Sequence, residues 1–170
     1  DNRFADIVPN HVPSGAMSKY GKLAFQNKNK DGSIRSEKVD RIKSAENFKN
    51  AFEETRKTGK GIKGKMSGAH KIAKGYISST LRKEDESIEA MWSNLVHETK
   101  ESLKEGNGLP TCMAMCDVSG SMSGVPLEVC VALGILLSNV APGMWKDNII
   151  TFSEHPEFHH IIGNSLFEKV

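Results

Sequence analysis

The sequence predicts an α/β protein in which a helical N-terminal region, residues 1–108, precedes the opening part of a parallel-type sheet, residues 109–170. Three observations carry this expectation. Up to about residue 105, apolar residues recur at intervals of three and four, the spacing of helices with one buried face. At residues 111–116 the pattern changes to a short run of small and apolar residues that ends in a polar, Gly-containing turn, which is how a buried strand finishes. A stretch apolar nearly all round, residues 125–139, then follows with Pro126 near its start, and a second strand candidate, NIITF, comes after it.

Composition narrows the class. Charged residues make up 26% and hydrophobic residues 38%, as in ordinary globular domains, and 170 residues suffice for one full core or two small ones. A net charge of +2 is too small to imply nucleic acid by itself, although many of the 23 basic residues lie before residue 105. Three cysteines, an odd number, argue against a disulfide framework and for a reducing compartment. The absence of an Asn-x-Ser/Thr sequon agrees with an intracellular, cytoplasmic setting. The chain begins at Asp1 rather than Met, so an organellar address upstream stays open. No apolar run reaches the roughly 20 residues that span a bilayer, and no membrane partner is expected.

In chain order, Pro9 and Pro13 break any long helix at the start. A short helix over 16–25 would turn Met17, Tyr20 and Phe25 inward, and the polar stretch 27–36 with Asp31-Gly32 reads as a loop. Residues 37–57 form a helix with Val39, Ile42, Ala45, Phe48 and Phe52 on one face, Ser36 as its cap and Gly59 as its stop. A Lys- and Gly-rich connector follows. Its Gly59–Lys65 segment spells G-x-x-x-x-G-K, but Met66 stands where Ser or Thr must hold Mg²⁺, and an amphipathic helix rather than a strand precedes it. Nucleotide binding by a phosphate loop is therefore rejected. The lysines Lys60, Lys63, Lys65, Lys71 and Lys74 are either a solvated charge run or contacts for phosphate and RNA. A short helix over 71–81 points Ile72, Tyr76 and Ile77 inward. The strongest helix, 86–105, has Ile88, Met91, Trp92, Leu95, Val96 and Leu103 in phase and Glu89, Glu98, Lys100, Glu101 and Lys104 on the other face. Residues 148–152 and 158–162 form a hairpin of strands, and Ser165-x-x-Glu168 opens a last helix as a capping box.

The stretch TCMAMCDVSGSM, residues 111–122, carries the chemistry. It sets Asp117, Ser119 and Ser121 on a strand-to-helix loop at the carboxyl end of the first strand, where open α/β sheets place their ligand sites. These three could simply cap the helix and close the turn. One carboxylate and two hydroxyls are also hard-oxygen ligands that suit Mg²⁺, which keeps several waters. His155, His159 and His160 form no convincing zinc set, because alternation puts His159 and His160 on opposite faces of a strand. Cys112, Cys116 and Cys130 read as small buried hydrophobes. No nucleophile has a base at a recognisable position, which speaks against an enzyme.

DVSGSM between an apolar strand and a long apolar helix resembles the metal-ion-dependent adhesion site (MIDAS) of von Willebrand factor A domains. The resemblance implies that residues 109–170 begin an incomplete von Willebrand A (Rossmann-like) domain. It also implies that Asp117, Ser119 and Ser121 bind Mg²⁺, with Mn²⁺ or Ca²⁺ as alternatives. More widely, the stretch from Trp92 onward, with CDVSGSMSGVPLEVCVALGILLS and ITFSEHPEFHHIIG, is similar to a family of plants, protists and giant viruses that joins a helical N-terminal region to a von Willebrand A-like domain. RFADIVPNHVPSGAM and the basic segment ending near Ser78 resemble that helical region more weakly. The architecture is also similar to the Ro autoantigen (TROVE) family, in which a helical-repeat ring binds RNA. These likenesses imply a non-enzymatic binding or scaffold module that recognises a protein partner within a larger assembly, with RNA binding through the basic helical region as the alternative. Families with this metal site complete it with a Thr and an Asp from two later loops. The chain stops at Val170 before either, and Thr151 lies inside a strand, so a fragment that holds its metal weakly is expected.

Overall fold

The computed structural model describes residues 3–29, 31–64, 67–106 and 111–170. Its helices are α1 (Ser14–Tyr20), α2 (Val39–Thr58), α3 (Ala69–Ile77), α4 (Glu86–Glu105), α5 (Val125–Val140) and α6 (Leu166–Lys169); its strands are β1 (Ala114–Asp117), β2 (Asn148–Phe152) and β3 (Glu157–His160). Helices come first and a three-stranded sheet last, an α/β arrangement. The chain divides into two compact units, Asp1–Ser67 with Asp85–Leu95, and Gly68–Glu84 with Val96–Val170, so α4 contributes to both. Among the described residues no helix is long and apolar enough to cross a membrane.

The first unit is built on α2. Phe48 and Phe52 are fully buried, and Phe25 stacks on Phe48 with ring centroids 4.4 Å apart. Burial of one such side chain contributes about 1.5–3 kcal/mol. The rest of the expected apolar face is not inside. Val39 is 81% and Ile42 50% exposed, while Arg41, Ser44 and Thr55 are buried. The helical phase explains the exchange. At about 100° per residue, positions 41, 44 and 55 fall within about 40° of the direction set by Phe48, whereas 42 and 39 lie about 120° and 180° away. Gly59 ends α2 as expected, in a left-handed conformation with φ +74° and its N–H on the Thr55 carbonyl. The expected cap differs: the N-cap position of α2 is Lys38, whose side chain makes no capping bond, and the Ser36 hydroxyl accepts the Lys38 N–H at 3.4 Å.

The helix expected over 16–25 is α1 followed by a π-helical turn, Gly21–Phe25. Met17 and Phe25 are buried, but Tyr20 is 45% exposed, because Met17 and Gly21, one turn apart, take the inward direction. At the start of α4, Asp85 Oδ1 accepts the Ser87 N–H at 2.9 Å and the Gln26 side-chain amide at 3.1 Å. Glu89, expected on the polar face, is 3% exposed. The first half of α4 buries Ser87, Glu89, Ala90, Met91, Trp92, Asn94 and Leu95, so it has almost no solvent side for a polar face to occupy.

In the second unit, β1, α5 and β2 form a strand–helix–strand unit with β1 and β2 parallel, Met115 opposite Ile150 and Asp117 opposite Phe152. β3 returns antiparallel to β2, which is the expected hairpin. The strand expected to be central is shorter than expected, starting at Ala114, and pairs only with β2 among the described residues. The sheet order is β1-β2-β3, which makes β2 the middle strand. Cys112 thus falls before β1 and is exposed, Cys130 is half-buried, and Cys116 alone is buried. Helix α5 packs against α3, β1 and β2. Its Gly134 meets the Cys116 sulfur closely enough that a side chain there would collide with it. Val125, Leu133 and Leu137 remain exposed, so this apolar helix is buried on part of its circumference. In α3, Ile72, Ala73 and Tyr76 face inward, and Tyr76 meets Phe167 edge-on at 5.3 Å. The capping box at Ser165 and Glu168 is present, and Lys169 Nζ ties the tail down through Asp147 at 2.8 Å and Asn139 at 2.9 Å.

Candidate metal-binding loop

Asp117 is the last residue of β1, and the ladder runs one step further, with the Val118 N–H donating to the Phe152 carbonyl at 2.8 Å. The chain then leaves the sheet through a 3₁₀ turn, Gly120–Met122, and enters α5 behind Gly124, whose φ of +83° suits a residue without a Cβ. Strand end and helix start therefore hold the loop at both ends.

Within it the three expected side chains come together. Asp117 Oδ1 accepts the Ser119 N–H at 2.9 Å, and the Ser119 hydroxyl bonds the same carboxylate. Ser119 Oγ and Ser121 Oγ are 3.1 Å apart. The hydroxyl and then the N–H of Ser119 hold the Asp117 carboxyl below the ordinary carboxylate range, so it stays ionised at neutral pH. The donor set fits a small hard cation. With Mg²⁺–oxygen bonds of about 2.0–2.1 Å, adjacent octahedral ligands stand about 2.8–3.0 Å apart, close to the separation of the two serine oxygens. A single carboxylate leaves most coordination positions to water or to another molecule.

The other candidates are arranged differently. Among the described residues, no three His, Cys, Asp or Glu side chains gather into a metal cluster. All four residues of β3 are exposed, and His160 Nδ1 pairs with Asn148 Oδ1 at 2.9 Å. Thr151 sits in β2, its hydroxyl 3.4 Å from the Glu157 carbonyl. Burial pushes the Cys116 thiol up to about 11, with the charge of Cys130 and a hydrogen bond to it adding to the rise, so it is an inert thiol at neutral pH. Of the lysines, Lys60 and Lys63 are exposed in the first unit, and Lys71 and Lys74 are exposed in the second. Lys74 pairs with Glu128 at 3.4 Å, and Lys65 and Met66 lie outside the described residues.

In the described part of the G-x-x-x-x-G-K segment, residues 59–64, two backbone amides are taken up inside the first unit. The Ile62 N–H donates to Thr55 Oγ1 at 3.0 Å, and the Gly64 N–H to Asn94 Oδ1 at 2.8 Å. The Asn94 amide in turn donates to the Gly59 carbonyl at 3.0 Å. Gly64 lies against the Met91 carbonyl so closely that any Cβ would overlap it. These amides cannot cradle a phosphate. Asn94 does not stand out in the sequence, although a polar residue beside the Met91–Leu95 stripe is a usable signal.

Residues 111–170 match a family described as a Domain of unknown function (DUF7788). The whole chain is similar to an uncharacterized protein of Acanthamoeba polyphaga mimivirus, with 30% identity over 170 residues covering 99% of this chain. The chain spans 28% of the length of that relative. No solved structure matches the chain.

Proposed function

We propose that this chain is a non-enzymatic binding module of the von Willebrand A type that recognises a protein partner through a divalent cation held by Asp117, Ser119 and Ser121. The observation that carries the reading is the convergence of one ionised carboxylate and two hydroxyls on a loop anchored by the end of β1 and the start of α5. The cation, Mg²⁺ or a similar ion, supplies an electrophilic centre with open positions, and a carboxylate of the partner would complete its coordination. The side chains of this loop orient that centre: Asp117 provides the charge, and Ser119 and Ser121 provide neutral oxygens. RNA binding through Lys60, Lys63, Lys65, Lys71 and Lys74 has less support, since Lys74 is engaged by Glu128.

The test is titration of the intact protein with Mn²⁺ by calorimetry, and recovery of bound proteins from cells with and without chelator. Asp117→Ala is expected to abolish both cation binding and chelator-sensitive partner binding while changing stability by less than about 1 kcal/mol, as for a surface substitution. If Asp117→Ala unfolds the protein, or leaves partner binding untouched, Asp117 is a structural cap. Binding that survives chelator and collapses as salt rises supports the RNA reading instead.

A further inference from the structure

The first unit contains a second candidate site that owes nothing to the metal loop. A cleft of about 550 Å³, within the size range of small-ligand pockets, is lined by Phe4, Tyr20, Arg35, Ser36, Lys38 and Arg41. Three cations and two aromatic rings meet there, and no carboxylate is among the described lining residues. Arg41 occupies an inward position of α2 that the helical phase turns away from solvent, leaving it 8% exposed. Its guanidinium lies over the Phe4 ring, 3.9 Å from the centroid, so the ring covers one face of a buried charge, and among the described residues its donor edge makes no hydrogen bond.

The surrounding backbone fixes these groups in advance. Asp40, the carboxylate whose charge reaches Arg41, places its two oxygens on the backbone N–H groups of Phe4 at 3.0 Å and Ala5 at 2.9 Å. It thereby locks Phe4 under Arg41. Asn27, at φ +51°, accepts the Arg35 N–H on its carbonyl at 2.9 Å and donates its side-chain amide to the Ser36 carbonyl at 2.8 Å, which pins the Arg35–Ser36 rim. Burial and the nearby charge of Arg35 both work against the positive charge of Arg41, a tension that an incoming anion relieves. Tyr20 is 45% exposed, with the Lys19 ammonium 5.3 Å from its ring centroid.

We infer that this cleft binds a nucleotide, the phosphate taken by Arg35, Lys38 and Arg41 and the base laid against the aromatic side formed by Tyr20 and Phe4. Arginine matches phosphate geometry with paired N–H donors, and a base stacks on an aromatic ring whatever its sequence identity. The volume suits one nucleotide rather than a strand.

The experiment is calorimetric titration of the full chain with adenosine monophosphate, inorganic phosphate, adenosine and a single-stranded ten-nucleotide RNA. Adenosine monophosphate is expected to bind at least about tenfold more tightly than phosphate or adenosine alone, because each lacks one half of the contact. Arg35→Glu, at an exposed rim position, is expected to weaken it at least about tenfold with an unchanged circular dichroism spectrum. Arg41→Lys, which keeps the charge and loses the paired donors, is expected to weaken it by a smaller factor. The inference is overturned if adenosine monophosphate does not bind at millimolar concentration, if phosphate binds equally well, or if Arg35→Glu has no effect. It is also overturned if the RNA binds orders of magnitude more tightly than the mononucleotide. None of these outcomes bears on cation binding at Asp117.

Discussion

Two glycine-containing loops of this chain look alike as sequence and behave oppositely as structure. The loop around Gly59–Gly64 turns its amides inward, onto Thr55 and Asn94. The loop around Asp117–Gly124 keeps its oxygens at the surface, bonded among the described residues only to one another and to local backbone. Both contain the small residues a ligand loop needs. What separates them is where their hydrogen bonds go: a polar group already satisfied within the core has no capacity left for a ligand. The first loop is therefore predicted to matter for stability and the second for binding.

Substitution at Gly64 gives the largest effect. A Cβ there overlaps the Met91 carbonyl, which belongs to helical backbone and cannot move aside cheaply. Gly64→Ala is expected to cost about 3 kcal/mol or more, measured by urea denaturation. A loss below about 1 kcal/mol would mean that the loop yields, and the contrast between the two loops would break.

Asn94→Ala comes next. It strips the partners from the Gly64 N–H and the Gly59 carbonyl, two backbone groups that would otherwise be buried unpaired. At about 1–3 kcal/mol per unsatisfied group, an overall cost of about 2–4 kcal/mol is expected in the same assay. Asn94→Asp keeps an acceptor for Gly64 but sets a buried carboxylate against the Gly59 carbonyl, so it should cost at least as much as alanine at neutral pH.

The smallest effect sharpens the other side of the comparison. The carboxyl of Asp117 titrates below its ordinary value because Ser119 bonds its ionised form. A depressed carboxyl contributes stability above its unfolded value of about 3.9, and that contribution is lost as pH falls through the folded value. Protons compete with a cation over the same window, so cation affinity should be flat between about pH 5 and 8 and fall only below about pH 4. Ser119→Ala should raise the Asp117 carboxyl toward its ordinary value, read by carboxyl carbon NMR, and move the fall in affinity to higher pH. An unshifted carboxyl in that variant would show that Ser119 does not hold it.

Much of the architecture is legible in the residue pattern alone. The helices, the strand–helix–strand unit, the hairpin, the Gly59 stop and the capping box all follow from local periodicity and turn chemistry, which short segments express by themselves. Asp117, Ser119 and Ser121 can be named together because five adjacent residues bring them into reach.

What the sequence cannot state is which of two plausible helix faces turns inward, because several azimuths of α2 gather comparable apolar residues. Packing against Phe25 settles that choice, burying Arg41 and Ser44 and leaving Val39 and Ile42 in water. The same holds for the cleft beside Arg41, assembled from residues up to 37 positions apart, and for the Asn94 bonds to a loop 30 and 35 residues earlier. Local sequence determines which elements form. Only close packing of distant segments, where a charge or an amide must find a partner or stay in solvent, decides what each element faces.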